Sequence, residues 1–174
     1  MAKKEVVQER IKEIQLVIFR LRNEEFAAEI SAVLEISRVL DITHVPDAPG
    51  FITGVVNLRG QVMAVIDLAK QFGLGSQAEL SKTARIVVVE IRGETIGLLV
   101  DEVPEVLRIA QDDIEPTPDI LQTAVSKHYV KGVGKLGERL VMLLDLEKIL
   151  EPQEVEQVTK ITEGGTHGQH SRGG

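Results

Sequence analysis

The 174-residue chain contains no cysteine and no tryptophan, and only one tyrosine and four phenylalanines. Without cysteine there can be no disulfide, no thiolate metal site and no cysteine nucleophile. With so few rings, the core has to be built from Val, Ile and Leu, and the stacking platforms that hold single-stranded nucleic acid are missing. A net charge of −7 adds to that exclusion, because nucleic-acid binders neutralise phosphates with a basic face. No apolar run approaches the roughly 20 residues that cross a bilayer, so direct membrane insertion is not expected. Lys3 and Lys4 lead into the polar stretch EVVQERIKEIQ rather than into the apolar centre of a secretory leader. These absences point to a cytoplasmic protein of ordinary globular balance, 43% hydrophobic and 27% charged. The length allows one domain, or two small units sharing a core.

What is present is a repeat. Residues 15–36 (QLVIFRLRNEEFAAEISAVLEI) align without gaps on 85–106 (RIVVVEIRGETIGLLVDEVPEV), with identities at Val17/Val87, Arg22/Arg92, Glu24/Glu94, Val33/Val103 and Glu35/Glu105. Residues 54–72 align in the same way on 132–150, with identities at Gly54/Gly132, Leu58/Leu136, Asp67/Asp145 and Lys70/Lys148. The chain therefore reads as one structural unit written twice, over about 15–72 and 85–150. Each unit pairs apolar, β-branched runs around polar tips (Arg22-Asn23-Glu24, Arg59-Gly60, Arg92-Gly93-Glu94 and the region of Gly137), which is a hairpin signature. Two units of four or five short strands suit a mainly β chain of two small barrels whose apolar faces pack together. A short helix is also expected over DILQTAVSKHYV, residues 119–130. Residues 1–14 form a polar leading segment, and residues 151–174, ending GGTHGQHSRGG, read as a flexible tail.

Three features raise the question of chemistry. Asp67 and Asp145 are equivalent carboxylates from two β units, the arrangement of an aspartate-dyad hydrolase. Their contexts, VIDLAKQF and LLDLEKIL, favour a plainer role as N-caps of short helical turns. His167 and His170 have a metal-compatible spacing but no second pair of ligands, and His44 and His128 fall in loops, so no metal site and no cofactor is expected. There is no nucleophile elbow and no phosphate-cradling glycine loop before a helix. An oligonucleotide-binding barrel is the remaining alternative, opposed by the acidic charge.

The V-x-E pattern at Val33/Glu35 and Val103/Glu105 has two readings. One is a strand with Val inward and Glu outward; the other is the border of a groove between the units. Pro104 favours the first at Glu105, and at Val33 and Glu35 both stay open. Arg59 departs from the repeat, its counterpart being Gly137, so the fold does not need arginine there. An arginine on a rigid Asn57-Leu58-Arg59-Gly60 tip offers a charged fork to a partner.

The stretches VIFRLRNEEFAAEISAVLEI, DAPGFITGVVNLRGQVMAVIDLAKQFGL, VVVEIRGETIGLLVDEVPEVL and GVGKLGERLVMLLDLEKIL together resemble the CheW-like family of chemotaxis coupling proteins. They resemble, secondarily, the homologous regulatory domain of the histidine kinase CheA. The likeness covers about residues 15–150 as a single domain. It implies two small five-stranded β-barrels of SH3 or OB type, with short helices and a hydrophobic groove between the barrels. It also implies a non-enzymatic adaptor that bridges the helical cytoplasmic tip of a chemoreceptor to the CheA regulatory domain at membrane-associated arrays. Carried over by position, Val33, Glu35, Arg59, Val103 and Val106 would serve the receptor or array contacts. Gly54, Asn57 and Gly97 would serve kinase contact or its support. The chain departs from the family's habit at Ala28, Glu29 and Ala64, where Leu, Pro or Ile is more usual, which bears on local packing.

Overall fold

Runs of Val, Ile and Leu that alternate with two-residue polar tips produce hairpins. The computed structural model, which describes residues 12–75, 79–117 and 128–173, is accordingly mostly strand. The first repeat supplies β1 (Glu13–Leu21), β2 (Glu24–Glu29), β3 (Val33–Arg38), β4 (Ile52–Leu58), β5 (Gln61–Asp67) and the one-turn helix α1 (Leu68–Gln71). The second supplies β6 (Arg85–Ile91), β7 (Glu94–Val100), β8 (Glu102–Ala110), β9 (Ile114–Glu115), β10 (Val130–Leu136) and β11 (Arg139–Leu144). A long helix, α2 (Pro152–Gly173), follows. The polar leading segment proves shorter than expected, since β1 already pairs at Glu13. The helix expected over 119–130 lies mostly outside the described residues.

The repeats exchange strands. One sheet has the order β8-β1-β2-β11-β10-β9 and the other β3-β6-β7-β5-β4. Each sheet is thus built from the first hairpin of one repeat, the second hairpin of the other, and an edge arm (β8 or β3) sent across from the opposite sheet. The parallel contacts β2·β11 and β7·β5 are the matching joints of this exchange.

Among the described residues no hydrogen-bonded ladder joins the two edges of either sheet, so closed barrels are not found. The sheets are nonetheless curled. Arg59, on the β4–β5 turn, pairs at 3.1 Å with Glu35 on β3. In a flat sheet β5 and β3 would stand about 14 Å apart, three strand spacings. Arg139 on β11 reaches Glu105 on β8, also three strands away, at 2.9 Å. Curling gives each sheet two apolar faces, which is why its strands read as nearly continuous hydrophobic runs. Val56, Met63, Val65, Ile86 and Val88 fill the inside of one curl, and Leu16, Ile18, Ala27, Val141 and Leu143 the inside of the other.

Between the sheets lies a third and larger core. The scarce aromatics gather there, in the ring series Phe19–Phe26–Phe72–Tyr129 with centroid separations of 6.2, 5.5 and 4.7 Å. Burial, followed by the charges of Glu154 and Glu151, raises the Tyr129 pKa above its ordinary value, so the phenol stays neutral. Ala28 and Ala64 are both buried in this core, and Glu29 pairs with Lys131 at 3.3 Å.

The expected flexible tail is corrected over its first turns. Pro152 opens α2, where proline's missing amide costs no hydrogen bond. Val155 and Val158 enter the inter-sheet core and Ile161 packs against it. The Thr159 hydroxyl donates to Glu94 Oε1 at 2.6 Å, tying the helix to the start of β7.

Candidate functional site

The residues singled out in the sequence fall into two places. Val33, Glu35, Gly54, Asn57, Arg59 and Gly97 lie on one sheet, whereas Val103 and Val106 lie on β8, the edge of the other. The inter-sheet core joins them, since Val33 and Val103 both pack against its margin as equivalent residues of the exchanged arms. A cleft of about 800 Å³ opens between the β4–β5 tip, the β6–β7 tip and α2, lined in part by Leu58, Val62, Glu94 and Lys160. Neither Val33 nor Val103 lines it.

Neither reading of the V-x-E pattern foresaw how it is built. In a regular strand residues two apart share a face, so Val33 and Glu35 would point the same way. A bulge at Leu34 breaks the register: Val33 sits opposite Val89, and Glu35 opposite Val88. Val89 belongs to the inter-sheet core and Val88 to the inside of the curl, so Val33 faces the seam between sheets while Glu35 stands at the mouth of the curl. The second repeat does the same. Val103 packs at the seam, a bulge follows, and Glu105 lies opposite Ile18 inside the other curl. The bulge leaves Leu34 57% exposed, with Ile36 and its counterpart Val106 also exposed.

Arg59 occupies a two-residue turn between Leu58 and Gln61, with φ of 53° at Arg59 and 84° at Gly60. Two positive φ angles in succession make a type I′ turn, which suits the right-handed twist of a hairpin. Asn57 Oδ1 accepts the Gly60 amide at 2.9 Å and holds the turn in shape. Arg59 is mostly exposed, and its guanidinium lies across to Glu35, whose side chain is 25% exposed. The repeat places Gly137 opposite Arg59, so no arginine stands at that position in the second half. The second repeat makes the equivalent ion pair from a different position, Arg139, which donates to both Glu25 and Glu105. These bonds, first to Glu25 and then to Glu105, raise the Arg139 pKa above the ordinary arginine value. Arg139 was missed because its counterpart, Gln61, carries no charge and the two arginines are out of register in the repeat.

The glycines have steric reasons. A Cβ on Gly54 would stand 2.5 Å from the Thr43 carbonyl oxygen, because the Thr43–Val55 bridge brings the preceding loop against β4. A Cβ on Gly97 would meet Ile86 Cγ2 at 2.8 Å and Met63 Cε at 3.0 Å inside the curl.

Asp67 and Asp145 act as caps. Asp67 Oδ1 accepts the Lys70 amide at 3.3 Å, and Asp145 Oδ1 accepts the Glu147 amide at 3.2 Å. Each carboxylate serves its own turn, as the sequence contexts favoured, which leaves the dyad without support. Asp67→Ala is expected to cost about 1 kcal/mol in urea unfolding, and Asp67→Asn less, since asparagine caps nearly as well. Among the described residues no group of three or more metal-ligating side chains converges. His128 contacts Glu151 at 3.0 Å. No helix among them is long and apolar enough to cross a membrane.

Comparison with known proteins accounts for this arrangement. Residues 15–154 match the family model described as the CheW-like domain. The chain is 37% identical over 137 residues to the chemotaxis protein CheW of Helicobacter pylori, covering 79% of this chain and 81% of that protein. It is 34% identical over 142 residues to the chemotaxis protein CheW of Rhizobium meliloti, covering 82% and 90%. Among solved structures, the scaffolding protein TtCheW of Thermoanaerobacter tengcongensis superposes with a TM-score of 0.73 at 37% identity, covering 80% of this chain and 89% of that one. Both exchanged sheets, save the first two residues of β1, and both arginine–glutamate pairs lie within the matched residues: the chain belongs to the CheW-like domain family.

Proposed function

We propose that this protein is a non-enzymatic scaffold of bacterial chemotaxis that couples chemoreceptors to the regulatory domain of the histidine kinase CheA, at receptor arrays on the membrane. The family match across both sheets carries this reading. Relatives at 34–37% identity are chemotaxis proteins named CheW, and the similar solved structure is called a scaffolding protein. Each curled sheet serves as a small barrel-like subdomain. The seam between them, bordered by Val33, Val103 and the exposed Val106, suits a receptor's helical tip, because an amphipathic helix laid in an apolar groove is a standard mode of recognition. Glu35 and Arg59, at the mouth of one curl, supply polar direction beside it. Gly54, Asn57 and Gly97 hold the β4–β5 hairpin and its neighbours in the shape that kinase contact requires.

Arg59 acts on orientation more than on affinity. An exposed arginine–glutamate pair is worth at most about 1 kcal/mol, so its removal leaves an apolar contact largely intact. The test is titration of the protein with a CheA regulatory domain and with a receptor cytoplasmic fragment, separately and together, alongside kinase assays. Saturable binding to each, with kinase output changing only when all three are present, is the expected result. Arg59→Ala should shift either binary affinity by no more than about fivefold, yet lower kinase activation in the ternary mixture by a larger factor. Absence of binding to both partners by a folded sample would refute the coupling role. Unchanged affinities and unchanged activation in Arg59→Ala would remove Arg59 from it.

A further inference from the structure

The exchanged arms leave their home sheets at two equivalent crossovers, and these are fastened very differently. Asp101 is the single residue between β7 and β8. Its carboxylate accepts from the Arg22 amide and from Arg22 Nη1, the latter at 2.9 and 3.0 Å. Its amide donates to the Arg20 carbonyl at 3.0 Å, and its carbonyl accepts from the Ser81 and Thr83 hydroxyls, both at 2.9 Å. Arg22 Nη2 extends the clamp to the Gly75 carbonyl at 2.7 Å. Arg22 and Asp101 side chains are 19% and 20% exposed, so solvent competes weakly for these bonds.

The repeat places Ser31 opposite Asp101. Ser31 lies in a 3-10 turn, Ile30–Ala32, that has no side-chain cap and no buried residue. Its hydroxyl makes no hydrogen bond among the described residues. The arms differ in the same direction. β8 is nine residues long and holds seven register pairs with β1, whereas β3 is six residues long and holds five with β6. Beyond β3, where Val39, Leu40 and Ile42 still pack against the inside of the curl, the backbone pairing among the described residues is down to the Thr43–Val55 bridge, whereas the second repeat has the two-pair β9·β10 ladder.

From this asymmetry we infer that the two arms are mechanically unequal: the Arg22–Asp101 clamp fixes β8, while β3 opens on its own as a compliant arm pivoting at the unfastened Ser31 crossover. Local opening follows the number of bonds that must break together; each arm carries one arginine–glutamate pair, but β3 has fewer bonds at its crossover and along its ladder. The exposed Leu34 and Ile36 ride on the arm that moves.

Hydrogen exchange followed by mass spectrometry on the intact protein tests this. In the unmodified chain, amides of residues 35–38 should exchange at least about tenfold faster than those of 105–108, reflecting a lower local opening free energy. Asp101→Asn should accelerate 105–108 toward the β3 rate and leave 35–38 unchanged. Arg22→Gln, which keeps the backbone bonds of the clamp, should do the same to a smaller extent and covers the case in which the first variant does not fold. Equal exchange of the two arms in the unmodified chain would overturn the inference. So would acceleration spread evenly over both sheets in the variants, since the clamp would then be a general stabiliser.

Discussion

Gly54→Ala is expected to be among the most damaging single-methyl additions in this protein, lowering stability by about 3 kcal/mol, near the upper end of the usual cost of overpacking. The added Cβ would stand 2.5 Å from the Thr43 carbonyl oxygen and 2.6 Å from Ile42 Cγ2. A carbonyl is backbone and cannot rotate away, so relief requires breaking the Thr43–Val55 bridge or displacing β4. The ordinary gain from alanine, which restricts the unfolded chain and is worth about 0.4–1 kcal/mol, is too small to offset this. The repeat supplies internal controls. At Gly132 the equivalent contact, Glu115 O, is 3.0 Å away, so a few tenths of an ångström suffice and Gly132→Ala should cost less than half as much. At Gly97 one neighbour is the terminal methyl of Met63, which can swing, placing Gly97→Ala between the two. Thermal unfolding reads the order directly: for a chain of this size about 3 kcal/mol corresponds to a fall of about 6–12 °C in Tm. If Gly54→Ala and Gly132→Ala proved equal, the close approach of the 42–43 loop would not be what glycine serves at position 54. The same series bears on function. A kinase-binding defect in Gly54→Ala that tracks its loss of stability marks support of the hairpin, whereas a defect at full stability marks direct contact.

Val158→Asp should be at least as severe. Val158 is completely buried in the core between the sheets, among aliphatic and aromatic side chains. An uncompensated buried charge costs about 3–5 kcal/mol, enough to undock α2 in preference to burying it. Val158→Ala, which only removes apolar volume, should cost about 2 kcal/mol. Far-UV circular dichroism separates the outcomes. Undocking removes helix signal, because a free 22-residue segment with Gly164, Gly165 and Gly168 in its interior has little intrinsic helicity. Urea titration should then show a lower midpoint. A chain shortened after Glu151 should match the aspartate variant in stability; if it unfolded like the full-length protein, α2 would contribute nothing to the core.

That helix shows why composition misled over 151–163. The segment is polar on average and ends in a glycine-rich run, which reads as tail. The informative signals were local: Pro152 at a helix start, and Val155, Val158 and Ile161 at three-residue spacing, one narrow stripe on an otherwise hydrophilic cylinder.

The sequence alone determined that this is a duplicated β protein, because hairpins are written locally: β-branched runs, two-residue tips, and glycine or a tolerant polar residue where φ turns positive. It determined the caps at Asp67 and Asp145 for the same reason, since a cap bonds to amides two or three residues away. The family was also legible, through the GVVNLRG run and the order of the matching stretches. Tertiary structure alone decided how the halves combine. Equivalent hairpins can pair within a repeat or across it with similar local chemistry, and the choice of exchange rests on long-range packing at the β2·β11 and β7·β5 joints. It also decided which way Val33 and Glu35 face, because one bulged residue at Leu34 reverses the parity of everything after it. Finally, it decided that Arg59 and Arg139, which stand at different places in the repeat, perform one task. Their partners, Glu35 and Glu105, come within reach only when a flat ladder of strands curls until its distant strands meet.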